Sequence, residues 1–245
     1  MLELIPTLGP LFMQTAAEGK PKLELNTPSN GVQSSAFRLH SSSVLRDMPV
    51  VLKCSLPENL MRHKNSLDLA ETALVIIDMQ EAFRSVIPDF VETAARIALL
   101  TNAARLLEIP TIVTEQYPRG LGHTAREIKA ELSPAQEIIE KTAFSSCGAN
   151  EFIAQLKKRA TQQILVCGIE AHICVNQTTH DLLALGLQVH LLTDCITART
   201  EQNKHVGLAK MQHSGAIPSS TEMALFELMR DAKHEHFKAI QRLIK

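Results

Sequence analysis

Short, mostly apolar runs separated by helical segments constrain this chain more than any other feature of its sequence. Strands that are buried on both faces are apolar throughout, and helical connections between them favour parallel pairing. The pattern therefore predicts an α/β fold: a three-layer, doubly wound, mainly parallel six-stranded sheet with helices on both faces, Rossmann-like in organisation. The runs assigned to strands are TALVIID (72–78), IPTIVTEQ (109–116), EIIEKT (137–142), QQILVCGI (162–169), QVHLLTD (188–194) and AIPS (216–219).

The segments between these runs carry helix signals. Residues 88–107 have apolar side chains at helical spacing, and glycines at 186 and 215 are placed to end two later helices. We expect Asn150 near the cap of a further helix, a short lead-in helix over residues 58–67, and two helices at the C-terminal end.

The first part of the chain differs in composition from the rest. The stretch TPSNGVQSSAFRLHSSS (27–43) is rich in serine and turn-forming residues and shows no sustained periodicity. We therefore predict a flexible or poorly ordered N-terminal extension over 1–55 and one folded domain over 56–245. Three glutamates in the first 24 residues argue against a transit peptide. A targeting segment, a tail and upstream sequence all remain open.

Charge and cysteine usage exclude several classes of function. Lys plus Arg number 25 and Asp plus Glu 26 in 245 residues, so no basic excess indicates nucleic-acid binding. No apolar run approaches the roughly 20 residues that span a bilayer. The five cysteines form no C-x-x-C pair, and no secretory signal is evident. A cytoplasmic, reducing location is expected, with organellar targeting left open.

Three predicted strands end next to residues whose side chains could take part in catalysis. In doubly wound sheets, ligands bind outside the carboxyl ends of the strands. Asp78 ends the first strand, Lys141 ends the third, and the loop after the fourth leads to Cys174 at a helix start. A thiolate is the reactive form of cysteine, and a nearby cation or helix N-terminus lowers its pKa. Asp78 as base, Lys141 as cation and Cys174 as nucleophile would form a hydrolytic centre.

Each of these residues also has a structural interpretation. A charged residue at a strand end often only caps the strand, and cysteine is among the most frequently buried residue types. The placement of all three at one edge of the sheet favours function over structure.

A metal site is not indicated by the other cysteines and histidines. Cys167 lies in a buried strand, and its spacing to His172 and Cys174 matches no zinc pattern. We interpret Cys195 as structural and His180 as packing. The stretch YPRGLGHT lacks the spacing of a phosphate-binding loop. No metal and no cofactor are therefore predicted.

Three longer segments resemble the isochorismatase-like cysteine hydrolases: ALVIIDMQEAF (73–83), EKTAFSSC (140–147) and CGIEAHICVNQTTHDLLALGLQVHLLTDCITAR (167–199). The resemblance covers about residues 70–232. TEQYPRGLGHT (114–124) is similar to the metal-free isochorismatase-domain proteins of unassigned substrate. The resemblance implies an isochorismatase-like hydrolase fold in which Asp78 is the general base, Lys141 the lysine of the triad and Cys174 the nucleophile.

The resemblance also implies a cis peptide bond between Ile169 and Glu170. The amides of Glu170 and Cys174 would then form an oxyanion hole. True isochorismatases do not use this cysteine, so its presence favours attack on a carbonyl or nitrile carbon. The histidines through which nicotinamidases typically bind a metal are missing from the matching span, which disfavours that activity.

The substrate pocket is predicted from residues just past the strand ends. We expect Gln80, Phe83, Tyr117, Phe144 and His172 to line it. Each also has a structural alternative, since phenylalanine is usually core and a loop histidine is often satisfied by backbone.

Together these observations predict a cysteine-dependent hydrolase. It would cleave the C–N bond of a small amide-like molecule through an Asp-Lys-Cys triad and an acyl-enzyme. The alternative is a non-catalytic or thiol redox-sensing protein that retains the fold. Expected partners are a small-molecule substrate and further copies of the chain, as a dimer or larger homo-oligomer, with no nucleic acid and no membrane.

Overall fold

The computed structural model describes residues 63–159 and 161–245. The predicted N-terminal extension over 1–55 lies outside the described residues. Of the predicted lead-in helix, residues 63–67 are described, and they are not helical. They form a turn in which the Ser66 N–H donates to the His63 carbonyl at 2.9 Å, so that part of the prediction is wrong.

All six predicted strands form. Their bounds are β1 Thr72–Ile77, β2 Thr111–Gln116, β3 Ile138–Lys141, β4 Gln163–Gly168, β5 Gln188–Ile196 and β6 Ile217–Ser219. The fifth strand extends two residues further than predicted, past an irregularity in its register with β4 between Val166 and Gly168.

The helices alternate with these strands. They are α1 Phe90–Leu106, α2 Pro118–Leu121, α3 Arg126–Glu131, α4 Asn150–Lys158, α5 Cys174–Ala184, α6 Glu201–His213, α7 Thr221–Met229 and α8 Phe237–Leu243. Gly186 and Gly215 follow α5 and α6 with positive φ, as predicted. Asn150 begins α4, but the cap position is occupied by Ala149, whose methyl side chain cannot accept a capping hydrogen bond.

The strand order explains where a site can form. The sheet is parallel, with the order β3-β2-β1-β4-β5-β6, and this confirms the predicted fold class. The order reverses between β1 and β4, because β2 lies on one side of β1 while β4 lies on the other. The crevice at such a reversal is where ligands bind in open α/β sheets. It opens beside the carboxyl ends of β1 and β4.

Alternate residues of each strand pack into two separate cores. Leu74 and Ile76 of β1 face the core under α1, α3, α7 and α8. Val75 and Ile77 face the core under α4, α5 and α6. Because successive side chains of a strand point to opposite faces, continuous apolar runs are what a sheet covered on both sides requires.

The end of β4 approaches β1 so closely that only glycine fits there. Gly168 pairs with Ile77 and has a φ of 116°. A Cβ at this position would lie 2.0 Å from the Ile77 carbonyl oxygen. The backbone then continues as Ile169, whose N–H donates to the same carbonyl at 2.9 Å. This contact fixes the direction in which the loop after β4 leaves the sheet.

We expect Gly168→Ala to lower the free energy of unfolding by about 3 kcal/mol or more, because a left-handed residue and a backbone clash combine. Gly186→Ala is a matched control: its φ is 82°, but a Cβ there meets nothing within 4 Å. That variant should lose only about 1–2 kcal/mol. Denaturant unfolding of both variants measures the difference, and equal losses would contradict the close-packing argument.

Candidate active site

Three strand ends bring the predicted triad together. Asp78 directly follows β1 in a left-handed conformation with a φ of 50°, and Lys141 is the last residue of β3. Cys174 is the first residue of α5, after the loop that follows β4. Asp78 and Cys174 therefore flank the crevice between β1 and β4, and Lys141 reaches it from beyond β2.

Asp78 and Lys141 form a buried ion pair. The Lys141 Nζ lies 2.6 Å from Asp78 Oδ2, and their side chains are 1% and 2% exposed. The same ammonium donates to Gln116 Oε1 at 2.8 Å and to the carbonyls of Phe144 at 3.1 Å and Ala143 at 3.2 Å. Thr114 Oγ1 donates to the other Asp78 oxygen at 2.7 Å. Neither buried charge lacks partners, which is the condition for burying one at all.

Cys174 is buried next to this pair. Burial, followed by the negative charge of Asp78, raises the pKa of its thiol to about 12, and the Lys141 charge acts in the opposite direction. Lys141 favours the thiolate, as predicted, but burial and the charge of Asp78 outweigh its effect. In the resting site Cys174 is therefore a protonated thiol beside a carboxylate.

The loop before Cys174 presents two unoccupied donors. The peptide bond between Ile169 and Glu170 is cis, at the position that the family resemblance predicts. Within the described part of the chain, the backbone N–H groups of Glu170 and Cys174 donate to no protein acceptor. Their neighbours do: Ala171 N–H donates to Thr197 O, and Val175 N–H donates to Glu170 O. Buried donors are normally paired, so two free ones beside a cysteine are notable.

The Glu170 side chain ties this loop to the segment after β5. Its carboxylate is 5% exposed and accepts from the Arg199 backbone N–H at 2.9 Å. The Arg199 Nε lies 3.1 and 3.0 Å from the two carboxylate oxygens. These hydrogen bonds between Arg199 and Glu170 fix the loop from the side opposite to β1.

A cavity of about 110 Å³ lies over Cys174. Its polar lining consists of Asp78, Gln116, Glu170 and Cys174, and its apolar lining of Phe83, Leu121, Phe144, Ile169 and Ile173. Two of the five predicted pocket residues, Phe83 and Phe144, line this cavity.

The other three predicted pocket residues lie elsewhere. Gln80 is fully buried, and its amide holds Gln116 and Gly122 by hydrogen bonds to the backbone, so it supports the rim without facing the cavity. Tyr117 has a left-handed conformation that turns its ring onto Gly120, toward a separate surface cavity. His172 lies in the loop, with a buried Nδ1 atom that has no partner among the described residues.

Several contributing residues were missed by the sequence reasoning. Thr114 and Gln116, which bind the Asp78–Lys141 pair, lie in the last half of β2, and Arg199 follows β5. The sequence pattern could have indicated these residues, because β2 and β5 are predicted to run parallel to β1 and to end at the same edge of the sheet. The sequence reasoning considered only the ends of the first, third and fourth strands.

Cys167, Cys195 and His180 have structural surroundings, as predicted. Cys167 and Cys195 are fully buried in the core, where Cys195 Sγ lies 3.1 Å from Thr221 Oγ1. His180 connects α5 to the end of α6, with Nδ1 2.6 Å from the Asn176 carbonyl oxygen and Nε2 3.0 Å from Ser214 Oγ.

No cluster of three or more potential metal-binding side chains occurs among the residues that the structure describes. In the same residues, no helix has the length and apolarity needed to cross a membrane.

The six-stranded parallel α/β sheet matches the fold of solved hydrolases of the isochorismatase-like class. The chain belongs to the isochorismatase family, because the model of the isochorismatase domain matches residues 72–223. The human isochorismatase domain-containing protein 2 is 43% identical over 176 residues, which cover 71% of this chain and 83% of that protein.

Solved structures agree with this assignment. A Caenorhabditis elegans protein described as MAR1 ribonuclease superposes with a TM-score of 0.70 at 41% identity, covering 73% of this chain and 92% of that one. YcaC of Escherichia coli, described as an octameric hydrolase of unknown specificity, has a TM-score of 0.66 at 21% identity. The match covers 75% of this chain and 96% of YcaC. The second likeness bears on the fold alone.

The raised pKa of Cys174 predicts a late titration. The ultraviolet absorbance of its thiolate, taken as the difference between the wild type and Cys174→Ala, should appear only above about pH 10, because burial and Asp78 both oppose ionisation. The same difference measured with Cys147→Ala serves as a control, because that variant removes the partly exposed thiol of Cys147. A midpoint below about pH 8.5, the value of an unperturbed cysteine, would contradict the buried-thiol description.

Proposed function

We propose that this protein is a cysteine-dependent hydrolase that cleaves the C–N bond of a small amide-like molecule through Asp78, Lys141 and Cys174. One observation carries the proposal: a protonated thiol, a carboxylate and two unoccupied backbone N–H donors converge on one small cavity. Nucleophile, base and oxyanion donors are the parts that acyl transfer requires.

The first half of the reaction forms an acyl-enzyme. Asp78 accepts the Sγ proton as the sulfur attacks the carbonyl carbon, so the high pKa of the free thiol does not prevent attack. The C–S bond forms while the carbonyl π electrons move to oxygen. The N–H groups of Glu170 and Cys174 donate to that oxyanion. When the tetrahedral intermediate collapses, the C–N bond breaks and the proton held by Asp78 passes to the departing nitrogen.

The second half regenerates the enzyme. Asp78 takes a proton from a water molecule, the hydroxyl attacks the thioester, and the C–S bond breaks. The acid leaves, and the thiol regains its proton. The Lys141 ammonium holds Asp78 in position through its hydrogen bond to that carboxylate.

Two alternatives are less well supported. A redox-sensing thiol is typically accessible and has a low pKa, whereas Cys174 is 7% exposed with a raised pKa. Cleavage of RNA, which the description of the C. elegans relative would suggest, needs groups that hold phosphate. Of the described residues that line the cavity, two are carboxylates and none is lysine or arginine. The turnover assay below tests whether the protein is catalytic or only retains the fold.

Substitution of the nucleophile gives the direct test. Cys174→Ala should abolish hydrolysis of any amide substrate found in a panel screen and leave the unfolding midpoint within a few degrees of the wild type. Cys147→Ala should retain turnover, because that thiol lies outside the cavity. Retained turnover in Cys174→Ala would sink the nucleophile assignment.

The proposed base gives a second test. Asp78→Asn should lower kcat by about 10²–10⁴, the range typical of a positioned general base. Intact-mass analysis during turnover should show the acyl-enzyme in the wild type and none in Cys174→Ala. Unchanged kcat in a folded Asp78→Asn protein would show that another group accepts the proton.

We also propose a homo-oligomer and a cytoplasmic location. The oligomer is supported by apolar side chains exposed on helix surfaces, including Val206 of α6 and Met223 of α7, and by the octamer described for YcaC. Size-exclusion chromatography with light scattering should give a mass of at least twice 27.0 kDa. A monomer mass at micromolar concentration would contradict the oligomer.

A further inference from the structure

The lining of the cavity over Cys174 limits which molecules can enter it. Apart from the thiol, the polar lining side chains already have partners within the protein. Asp78 is bound by Lys141 and Thr114, and Glu170 is bound by Arg199. The Gln116 amide accepts from Lys141 and donates to the Thr142 carbonyl at 2.7 Å. The groups left to contact a ligand are the thiol, the free N–H donors of Glu170 and Cys174, and the remaining lone pairs of Asp78, which the proposed mechanism uses.

Together with Asp78, which faces the departing nitrogen in the proposed reaction, these groups match a single amide group. Two N–H donors satisfy one oxygen, and the thiol lies against its carbon. The rest of a ligand meets the side chains of Phe83, Leu121, Phe144, Ile169 and Ile173. A second polar group on the ligand would be desolvated against these side chains without a partner, which is unfavourable.

The charges around the cavity disfavour ions of either sign. Asp78 and Glu170 line it, but their charges are matched by Lys141 and Arg199 behind them. An anionic ligand would approach two carboxylates without meeting a cation that lines the wall. A cationic ligand would have to lose its hydration shell beside carboxylates whose charges are already balanced by Lys141 and Arg199.

The volume sets the size of the ligand. Apolar cavities of about 150 Å³ lined by Leu, Ile and Phe hold one benzene molecule. The cavity here is smaller, at about 110 Å³, and far below the roughly 300–1,000 Å³ that larger ligands occupy.

We propose that the substrate is a small, uncharged amide whose acyl group is apolar and no larger than a few carbon atoms, selected by the apolar wall around Cys174. This inference rests on the proposed hydrolase function and specifies its substrate class. Phe144 is the residue that sets the size limit: its ring lines the cavity while 54% of the residue stays exposed, so it forms the outer wall.

Charge selectivity can be tested without turnover. Iodoacetamide and iodoacetate have nearly the same shape and differ in charge, and both alkylate sulfur with loss of iodide. The alkylation rate at Cys174 is followed by peptide mapping at one pH. The ratio of the iodoacetamide rate to the iodoacetate rate should exceed the same ratio for glutathione by about tenfold or more. Because both reagents meet the same thiolate fraction, the raised pKa cancels. A ratio equal to that of glutathione, or a preference for iodoacetate, would overturn the inference.

Substrate selectivity is tested with matched amides. The wild type should hydrolyse 3-methylbutanamide and butanamide, and should discriminate against their charged counterparts malonamate and β-alaninamide by about 10²-fold or more in kcat/KM. Comparable rates for the charged amides would overturn the inference and leave the hydrolase proposal standing. If none of the four amides is hydrolysed, the hydrolase proposal loses support, and the alkylation ratio still decides whether the cavity selects neutral ligands.

The size limit has a matched pair of variants. Phe144→Ala should raise kcat/KM for hexanamide relative to propanamide by about tenfold, because it opens the outer wall. Tyr117→Ala should leave this ratio unchanged: Tyr117 is also aromatic and 54% exposed, but it lies outside the cavity. Equal behaviour of the two variants would contradict the role of Phe144.

Discussion

The buried ion pair between Asp78 and Lys141 is the interaction on which the site depends. Two charges that are almost fully removed from water are tolerated only when attraction and hydrogen bonds replace their hydration. Here the ammonium has four acceptors and the carboxylate has two donors, drawn from β1, β2 and the loop after β3. Removal of one partner from such a pair leaves an uncompensated charge and costs about 3–5 kcal/mol. The pair therefore fixes three strand ends relative to one another.

The same pair acts on the thiol of Cys174 with charges of opposite sign. A free cation beside a thiol would stabilise the thiolate, but a cation bound to a carboxylate brings both signs of charge to the same place. The burial of Cys174 then decides the outcome, and its thiol stays protonated. In the reaction we propose, the sulfur becomes nucleophilic as its proton passes to Asp78. Burial and the raised pKa separate this cysteine from oxidation-prone thiols, which are exposed and ionised.

Much of the fold could be predicted from the sequence because the relevant signals are local. Each apolar run forms a strand within a few residues of its predicted bounds, and the positive-φ glycines after α5 and α6 end those helices. The predicted turn of helix over 58–67 failed in its described part because a helix that short gains little from propensity, and a side-chain and backbone turn around His63 competes with it. Asp78, Lys141 and Cys174 were found because residues at the ends of parallel strands share one edge.

The sequence by itself determined the class of the fold, the family and the three residues brought together at the switch point, since periodicity, strand ends and motif order are properties of the chain in one dimension. Only the tertiary structure decided the pairing of Lys141 with Asp78, the protonated state of Cys174 and the lining of the cavity. Those properties depend on distances of a few ångströms between β1, β2 and β4, on the depth of burial, and on which hydrogen bonds are already occupied. Gln80 and Tyr117 illustrate the difference: both follow strand ends, yet the amide of Gln80 is used up by backbone groups and the left-handed backbone at Tyr117 turns its ring away from the cavity.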